Sequence, residues 1–394
     1  MNISEVVKKE KCSGCLACVD VCGVKAISIH ANSLGYYEPI IDASRCTECN
    51  RCIDICSSMS TKLIKNDIEK AFVFQNSNAI VRNISSSGGA FSAIAKYVID
   101  KNGLVIGAAY DERWKVKHII IKSCDELYKL NGSKYVQSDV TGIYKYVKAC
   151  LMENPDKYIC FSGTPCEING LRNILGRDYS NLILVEVVCH GVGSPKLWQE
   201  YITNVENEKK SKITSISFRS KAYGYAASCM LIECNRKKYT RGKSIEAFKA
   251  LYFKGYNIKP NCYQCNHKGN KRGADITLFD CWHMNIYDKK KNDNKGTTAI
   301  LVNTASGNRV IHELMVNNYV IEVDKNRIIS TDGDMLLDSP KRPADYDTYL
   351  NTYVSGESIK GLIDKYCPYD MQKKLRVSGK RILSRLNILC FFQK

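Results

Sequence analysis

Eight cysteines near the start of the chain stand in two copies of one pattern. In each copy, two-residue gaps separate three cysteines and a three-residue gap precedes the fourth. Thiolates at these spacings fold around one 4Fe-4S cluster, while the fourth cysteine reaches the neighbouring cluster. The predicted ligands are Cys12, Cys15, Cys18 and Cys56 for the first cluster, and Cys46, Cys49, Cys52 and Cys22 for the second. The pattern therefore predicts one-electron transfer through two 4Fe-4S clusters.

The alternative for this segment is a pair of structural zinc sites, which also use C-x-x-C units. Zinc sites generally do not use four thiolates at these spacings in tandem. Gly23 and Ser57 stand where a proline usually follows the fourth cysteine, which loosens the turn and removes no ligand. Residues 1–62 resemble bacterial two-cluster ferredoxins, and the resemblance implies an α+β module.

Four later cysteines form a third candidate set. Cys166 and Cys189 each follow an apolar strand, and Cys262 and Cys265 form a C-x-x-C. If the four converge, they can ligate a third 4Fe-4S cluster. A lone C-x-x-C has other interpretations, such as half a zinc ribbon or a dithiol. A helix N-terminus favours a thiolate at Cys166, so a thiol enzyme with His190 as its base is another alternative.

Two small-residue turns are candidate cofactor-binding segments. Ser86, Ser87, Gly88 and Gly89 precede a predicted helix, where backbone N–H groups can approach a phosphate of a flavin or nucleotide. The second turn, Gly163, Thr164 and Pro165, ends a predicted strand and opens the helix of Cys166. The alternative is that such turns only connect two elements.

The elements that must position these residues alternate between apolar β-branched runs and amphipathic segments. The predicted strands are 104–110, 118–122, 158–161, 182–188, 213–218 and 299–303. The predicted helices are 90–101, 143–152, 167–175, 195–205 and 308–317. This alternation predicts an α/β domain with a mostly parallel or mixed sheet over residues 63–340. A less regular, peripheral extension is predicted for residues 341–394.

Composition restricts the location and the partners. The chain has 20 cysteines and a formal net charge of +18. Without a signal core or an apolar stretch of membrane-spanning length, the cysteines indicate a cytoplasmic protein that binds metal. The charge favours anionic partners, or reflects a generally basic surface. No nucleic-acid motif accompanies it, so no nucleic-acid partner is expected.

The last segment, residues 373–394, combines basic and apolar residues with no acidic residue. A basic amphipathic helix of this kind can lie on an anionic membrane surface. The sequence therefore predicts a peripheral contact with the inner face of the membrane. The alternatives are a helix docked on the body or a disordered tail.

Residues 86–303 resemble the family of beta subunits of coenzyme F420 hydrogenases and dehydrogenases. The matching motifs are Ser86 to Gly89, Gly132 to Ser138, Gly163 to Cys166, Cys189 to Val192, and Cys262 to Trp282. The resemblance implies FAD, an iron–sulfur cluster and hydride transfer to or from a deazaflavin. It implies that the two small-residue turns hold FAD, and it makes Lys134, Tyr135 and His190 the candidate catalytic residues.

The chain departs from the family where members commonly read Gly-Asp-Phe-Trp-Gly. It has Phe279-Asp280-Cys281-Trp282-His283 instead, which puts the substrate in doubt. It is more similar to bacterial members with a fused ferredoxin, which are associated with polysaccharide biosynthesis, so a sugar-linked substrate is also expected. The main hypothesis is an oxidoreductase that exchanges electrons with a ferredoxin, a flavodoxin or a dehydrogenase subunit. The alternative is a non-catalytic electron relay.

Overall fold

A computed structural model describes residues 2–3, 11–59, 66–368 and 378–384. The N-terminal module contains an antiparallel pair of strands, β1 (Ile27–Ala31) and β2 (Tyr37–Ile41). Two short helices accompany it, α1 (Ala17–Val21) and α2 (Arg51–Asp54). Each helix follows the second cysteine of its set and carries the third. The predicted α+β module is confirmed.

The body is built on an eight-stranded mixed sheet with the order β13-β3-β12-β11-β7-β6-β4-β5. Its strands are β3 (Lys70–Gln75), β4 (Leu104–Tyr110), β5 (Val116–Ile121), β6 (Ile159–Gly163), β7 (Leu182–Val187), β11 (Ile276–Asp280), β12 (Thr298–Val302) and β13 (Tyr319–Val323). Strands β11, β7, β6 and β4 are parallel, and the outer pairings are antiparallel. The parallel block gives the sheet one carboxyl edge, where α/β folds usually bind their ligands.

A three-stranded antiparallel sheet lies beside the main one. It consists of β8 (Ile213–Ser220), β9 (Cys229–Cys234) and β10 (Lys237–Tyr239). The predicted strand at 213–218 thus belongs to this second sheet. Its hydrophobic side packs on Trp198, Phe248 and neighbouring apolar residues, in a core that also includes Val116 of β5.

Twelve helices of the body surround these sheets within the described residues. They are α3 (Ala79–Ile84), α4 (Ala90–Asp100), α5 (Leu127–Leu130), α6 (Ile143–Glu153), α7 (Pro165–Leu175), α8 (Pro195–Lys209), α9 (Lys243–Phe253), α10 (Ala305–Met315), α11 (Lys325–Asp332), α12 (Asp334–Leu337), α13 (Tyr346–Val354) and α14 (Ile359–Tyr366). Helices α4 and α10 cover one face of the main sheet, and α6 and α7 cover the other.

Strand β6 shows why the sheet is covered on both faces. Successive side chains of a strand point to opposite faces. Ile159 and Phe161 pack with α6 and α7, whereas Cys160 packs with α4 and α10. All three are fully buried. The continuous apolar run is therefore what a central parallel strand requires.

The C-terminal extension differs from its prediction. Helices α13 and α14 are regular, and Tyr346, Tyr349, Leu362 and Ile363 are buried in the core beside α8 and α9. The expectation of a less regular, peripheral segment is wrong for this part. The aromatic rings of the tyrosines supply the apolar surface here, while their hydroxyl groups make the sequence look polar.

The tail is described only at residues 378–384, which are helical. Arg381 forms an ion pair with Glu246 at 2.8 Å, and the Nδ2 of Asn294 donates to the Oγ of Ser384 at 2.9 Å. This part of the tail is docked on the body, and the remainder of 373–394 lies outside the described residues. None of the helices that the structure describes is long and apolar enough for a membrane span.

Candidate functional site

The first cysteine set (Cys12, Cys15, Cys18 and Cys56) comes together as predicted. Burial raises the pKa of the Cys18 thiol, and the nearby thiolates of Cys15, Cys12 and Cys56 raise it further. Cys18 lies on α1, which begins after left-handed Leu16. Cys56, the fourth cysteine of the second copy, thus lies near the first set, and its role as a ligand of the first cluster stays a prediction.

The second cysteine set (Cys22, Cys46, Cys49 and Cys52) lies nearer to solvent. Cys49 is exposed, whereas Cys52 is buried. The backbone N–H of Arg51 lowers the pKa of the Cys49 thiol. The Sγ of Cys22 accepts a hydrogen bond from the backbone N–H of Ala26 at 3.2 Å. Among the described residues, Cys49 is therefore the most exposed thiol of these two sets.

The third cysteine set (Cys166, Cys189, Cys262 and Cys265) lines one cavity at the carboxyl edge of the sheet, here called the thiol cavity. Cys166 is the second residue of α7, and Cys189 follows β7. Cys262 lies in a short 3-10 helix, Pro260–Gln264, which Cys265 ends. Four thiols from segments that are distant in sequence thus come to one place, which meets the condition for a third cluster that the sequence left open.

Burial raises the pKa of three of these thiols, Cys166, Cys189 and Cys262. It raises the pKa of Cys262 to about 11, and it raises the pKa values of Cys166 and Cys189 above their ordinary range. For Cys166, burial raises the pKa most, and the Glu167 carboxylate raises it further. A free nucleophilic thiolate is therefore disfavoured at Cys166, contrary to the effect expected from the helix alone.

The donor set of the thiol cavity is chemically suited to an iron–sulfur cluster. All four candidate ligands are thiols, which are the usual donors to such clusters.

A buried polar network supports the wall of the thiol cavity. Arg272 pairs with Glu186, and both side chains are almost fully buried. Arg272 also donates to the carbonyl oxygens of His267 and Gly269, at 3.1 and 3.0 Å. Glu186 accepts a further hydrogen bond from Thr277 at 2.7 Å. The network fixes the loop that follows Cys265 against strands β7 and β11.

The N-terminal module contacts the body next to this cavity. Ser13, between two ligands of the first set, lines the thiol cavity. A Cβ added at Gly170 of α7 would lie 3.4 Å from the Sγ of Cys15 and 3.1 Å from the Cβ of Ala17. Since Gly170 is four residues after Cys166, about one helical turn separates the first cysteine set from the third.

Polar contacts fix the module in this position. Gln137 Nε2 donates to the carbonyl oxygens of Gly14 and Tyr37, and its Oε1 accepts from the backbone N–H of Tyr37. The Asp20 carboxylate accepts three backbone N–H groups at the start of α6. The Tyr144 hydroxyl donates to the carbonyl oxygen of Cys15 at 2.9 Å. Hydrogen bonds between the N-terminal module and the body thus fix the distance between the first and third cysteine sets.

The turn Ser86 to Gly89 packs against the start of β12. The backbone N–H of Gly88 donates to the Oγ1 of Thr298 at 2.8 Å, and a Cβ there would meet the carbonyl oxygen of Phe74 at 2.3 Å. Ser87 donates to the carbonyl oxygen of Thr297, and Ser86 pairs with Ser133. Gly88 is therefore required by packing, and its N–H is already bonded within the protein.

The turn Gly163 to Pro165 lies at the thiol cavity. The backbone N–H of Thr164 donates to Glu167 at 2.7 Å, its Oγ1 lies 3.2 Å from the Sγ of Cys166, and Pro165 lines the thiol cavity. Three strand spacings, roughly 14 Å, separate β6 from β12. Only an elongated molecule could contact both turns.

A second polar group, here called the Arg219 cluster, comprises Tyr135, Arg219, Tyr225, Asp280 and Trp282. Arg219 Nη1 donates to Asp280 at 2.5 Å, and the Tyr225 hydroxyl donates to the same carboxylate at 2.7 Å. The Tyr225 and Trp282 rings stack with centroids 4.4 Å apart, and the guanidinium of Arg219 lies 5.1 Å from the Trp282 centroid. Arg219 is about nine-tenths buried, and its Nη2 has no hydrogen-bond partner among the described residues.

Aromatic rings connect the Arg219 cluster with the thiol cavity. Tyr135 stacks on Tyr252 with centroids 4.9 Å apart, and Tyr252 contacts the His190 ring at 5.5 Å. His190 lines the thiol cavity next to Cys189, and burial lowers the pKa of its imidazole. Lys134 Nζ donates to the carbonyl oxygens of Leu130, Asn131 and Gly132, and burial lowers its pKa to about 7.

The segment that departs from the family pattern is pinned by one buried carboxylate. Asp332 accepts from His283 Nδ1 at 2.8 Å and from the backbone N–H of Trp282 at 3.1 Å. Burial raises the pKa of the Cys281 thiol, and Asp332 raises it further. Cys281 is therefore a buried thiol outside the third cysteine set, while Trp282 is held in its stack with Tyr225.

Sequence reasoning missed Gln137, Arg219, Tyr225 and Tyr252. Gln137 lies within one of the family motifs, which was a usable signal. The other three have no sequence signal, because each acts through partners that are distant in the chain.

Two family models match the body, and both describe the coenzyme F420 hydrogenase/dehydrogenase beta subunit. The model of its N-terminal part matches residues 71–145, and the model of its C-terminal part matches residues 156–327. Together they cover more than half of the chain. The "4Fe-4S dicluster domain" model matches residues 11–59, which contain the first and second cysteine sets.

Curated relatives include archaeal proteins. A subunit of the F(420)H(2) dehydrogenase of Methanosarcina mazei is 25% identical over 235 residues, 55% of this chain and 66% of that protein. Coenzyme F420-dependent sulfite reductase of Methanocaldococcus jannaschii is 33% identical over 89 residues, 22% of this chain and 13% of that protein. The chain thus spans slightly less than two thirds of the first relative and a small part of the second.

Among solved structures, a chain of the F420-reducing [NiFe] hydrogenase complex from Methanosarcina barkeri aligns with a TM-score of 0.45 and 15% identity. The alignment covers 81% of this chain and 94% of that one.

Proposed function

The chain belongs to the family of coenzyme F420 hydrogenase/dehydrogenase beta subunits, and on this premise we propose that it is an iron–sulfur flavoprotein oxidoreductase. In this proposal it holds three 4Fe-4S clusters and one FAD, and it exchanges electrons with a redox protein. Its substrate is a deazaflavin or a sugar-linked intermediate of polysaccharide synthesis. The observation that carries the proposal is the adjacency of the cysteine sets: Cys52 of the second set lies near Cys18 of the first, and Cys15 of the first set lies beside the helix of Cys166.

The order of the sites suggests a route for electrons. The exposed face around Cys49 receives the redox partner, and the first cysteine set lies between that face and the body. The third set follows about one helical turn beyond Cys15. Tyr252 then connects His190, which lines the thiol cavity, with Tyr135 of the Arg219 cluster.

The Arg219 cluster fits a flavin because Arg219 has a buried donor without a partner among the described residues. An anionic or carbonyl oxygen of the cofactor would satisfy that donor. A bound flavin supplies hydride transfer on one side and single-electron transfer on the other. In the protein, Tyr225 and Trp282 would exclude water, and Asp280 holds Arg219 in place. Lys134 would keep its loop in position, and Tyr135 would line the substrate pocket.

One observation favours the non-catalytic relay. The N–H of Gly88 and the ammonium group of Lys134 are both engaged within the protein. If the turn Ser86 to Gly89 cannot open to a phosphate, the body would hold clusters without a flavin. Such a protein would pass electrons only to another subunit.

Substitution of one ligand tests the oxidoreductase proposal. Cys262→Ala should remove the third cluster and leave the other two. Cys160→Ala is the matched control, because Cys160 is a fully buried core residue outside the cysteine sets. With reduced ferredoxin as the electron donor under anaerobic conditions, flavin reduction should slow at least 100-fold in the first variant and stay unchanged in the second. Flavin reduction at the parent rate in Cys262→Ala would contradict the route.

Peripheral membrane contact through the tail belongs to the same proposal. Arg381 ties residues 378–384 to the body, so the contact would be made by tail residues beyond that docked segment. Pelleting with anionic liposomes should fall for a chain that ends at Asp370. Equal pelleting of the full and shortened chains would remove membrane contact from the proposal.

A further inference from the structure

A fully buried lysine lies where the N-terminal module meets the body. The Lys259 side chain is 1% exposed, and its Nζ lies 2.9 Å from the Oε1 of Glu38 on β2. Its ammonium is also 5.2 Å from the centroid of the Tyr36 ring. The cation thus comes from the body, and its counter-ion comes from the module.

Lys259 is placed between a ligand of the first set and a ligand of the third. A Cβ at Gly14, between Cys12 and Cys15, would lie 3.2 Å from the Cε of Lys259. On the other side, the carbonyl oxygen of Lys259 accepts the backbone N–H of Cys262 at 2.8 Å. The side chain of Lys259 therefore contacts the loop of the first cysteine set, while its backbone holds Cys262 of the third set.

The charge of Lys259 lies at the junction of both sets. Its side chain packs against Gly14, between Cys12 and Cys15, and its carbonyl oxygen holds the backbone of Cys262. Because the side chain is almost fully buried, water screens its charge little. Its counter-ion Glu38 lies on the module.

We propose that Lys259 is a shared positioning residue that raises the reduction potentials of the first and third clusters together and leaves that of the second unchanged. The inference rests on the three clusters of the proposed function. Each cluster gains negative charge when it accepts an electron, so a buried cation stabilises the reduced form. The junction between module and body becomes the favoured place for an electron that enters at the surface.

Four variants give a pattern that a packing defect does not reproduce. Lys259→Met should lower the first and third potentials, and Glu38→Gln should raise the first. Lys268→Met should lower only the third, because Lys268 acts on Cys189, Cys265 and Cys262. Lys96→Met is the surface control, since Lys96 is exposed and pairs with Asp100.

The measurement is an anaerobic redox titration followed by EPR. Signals are assigned beforehand with Cys49→Ala and Cys262→Ala, which each remove a ligand of one cluster. Lys259→Met should change the reduction equilibrium of the first and third clusters about tenfold, which is about 59 mV for one electron. If that variant does not fold, the double variant Lys259→Met/Glu38→Gln removes the whole pair, which is often tolerated. This double variant should still lower the reduction potential of the third cluster.

The results separate two failures. If the protein holds twelve irons, three results would overturn the role of Lys259 alone. In Lys259→Met, these are unchanged potentials or an equal shift of all three cluster potentials. In Glu38→Gln, it is a lower potential of the first cluster. Eight irons in the parent protein would overturn the proposed function, and the shared-cation inference with it.

Discussion

Replacing Gln137 with alanine should loosen the N-terminal module from the body. Gln137 is 3% exposed and forms three hydrogen bonds with the module, at 2.8, 3.1 and 3.0 Å. Each buried hydrogen bond contributes about 1 kcal/mol net. Loss of all three costs about 3 kcal/mol, which weakens docking roughly 100-fold because about 1.4 kcal/mol corresponds to tenfold.

Hydrogen–deuterium exchange measures this loosening directly. Peptides that cover residues 14–20 and 36–41 should exchange faster in Gln137→Ala, while peptides of β4 and β6 should not change. Gln137→Met separates the loss of hydrogen bonds from the loss of side-chain volume, since it removes the hydrogen bonds and retains most of the volume. Gln199→Ala is the matched control, because its side-chain contact, to the carbonyl oxygen of Arg113, is exposed. Unchanged exchange in the two module peptides of Gln137→Ala would refute the reasoning.

Three further predictions concern stability, the apo thiols and the cofactor. Arg272→Met leaves Glu186 buried without its ion-pair partner, so denaturant unfolding should show a free energy of unfolding lower by about 3–5 kcal/mol. The double variant Arg272→Met/Glu186→Leu should recover most of this stability, and an equal loss in both variants would contradict the ion-pair account. In metal-free protein at pH 8, an alkylating reagent should modify Cys49 first because its pKa is lowered, and Cys262 slowly because its pKa is about 11. Mass spectrometry measures the order, and the reverse order would show that the set around Cys49 is not the accessible one. Arg219→Gln should reduce the flavin content of purified protein at least tenfold, while Arg113→Gln, on an exposed turn, should not; full flavin in Arg219→Gln would place the cofactor elsewhere.

The chemistry of the chain was largely predictable because cysteine spacing is specific. The crosswise assignment of Cys56 follows from its three-residue gap, and the structure places that thiol beside Cys15 and Cys12. The placement of Cys166 and Cys189 at one edge also followed from position, since both follow strands of one parallel block, whereas their convergence with Cys262 and Cys265 was left open. The ligand roles remain predictions, whereas the placement of the thiols agrees with them.

The fold was predictable where apolar runs are continuous. Strand β4 has the predicted bounds, and the helices at 90–101 and 143–152 differ from them by one residue at most. Strands β3 and β11 were missed although both are central, because polar or charged residues interrupt or flank their short apolar runs. Helices α13 and α14 were missed because tyrosines supply much of their buried surface.

Residues whose roles depend on distant partners could not be predicted. Arg219 belongs to none of the sequence motifs, and only the fold brings it to Asp280. Lys259 adjoins the C-x-x-C, but its partner Glu38 is 221 positions away. Burial then decides their importance, since a charge in a dry interior has a strong effect on its neighbours.

The central claim is that one chain holds three 4Fe-4S clusters and one FAD. Its most direct test is the iron, sulfide and flavin content of anaerobically purified protein, with zinc counted alongside. The account predicts about twelve irons, a matching amount of sulfide and one flavin per chain, with no zinc. About eight irons without flavin would contradict it and would leave a two-cluster module joined to a body that serves only as a relay.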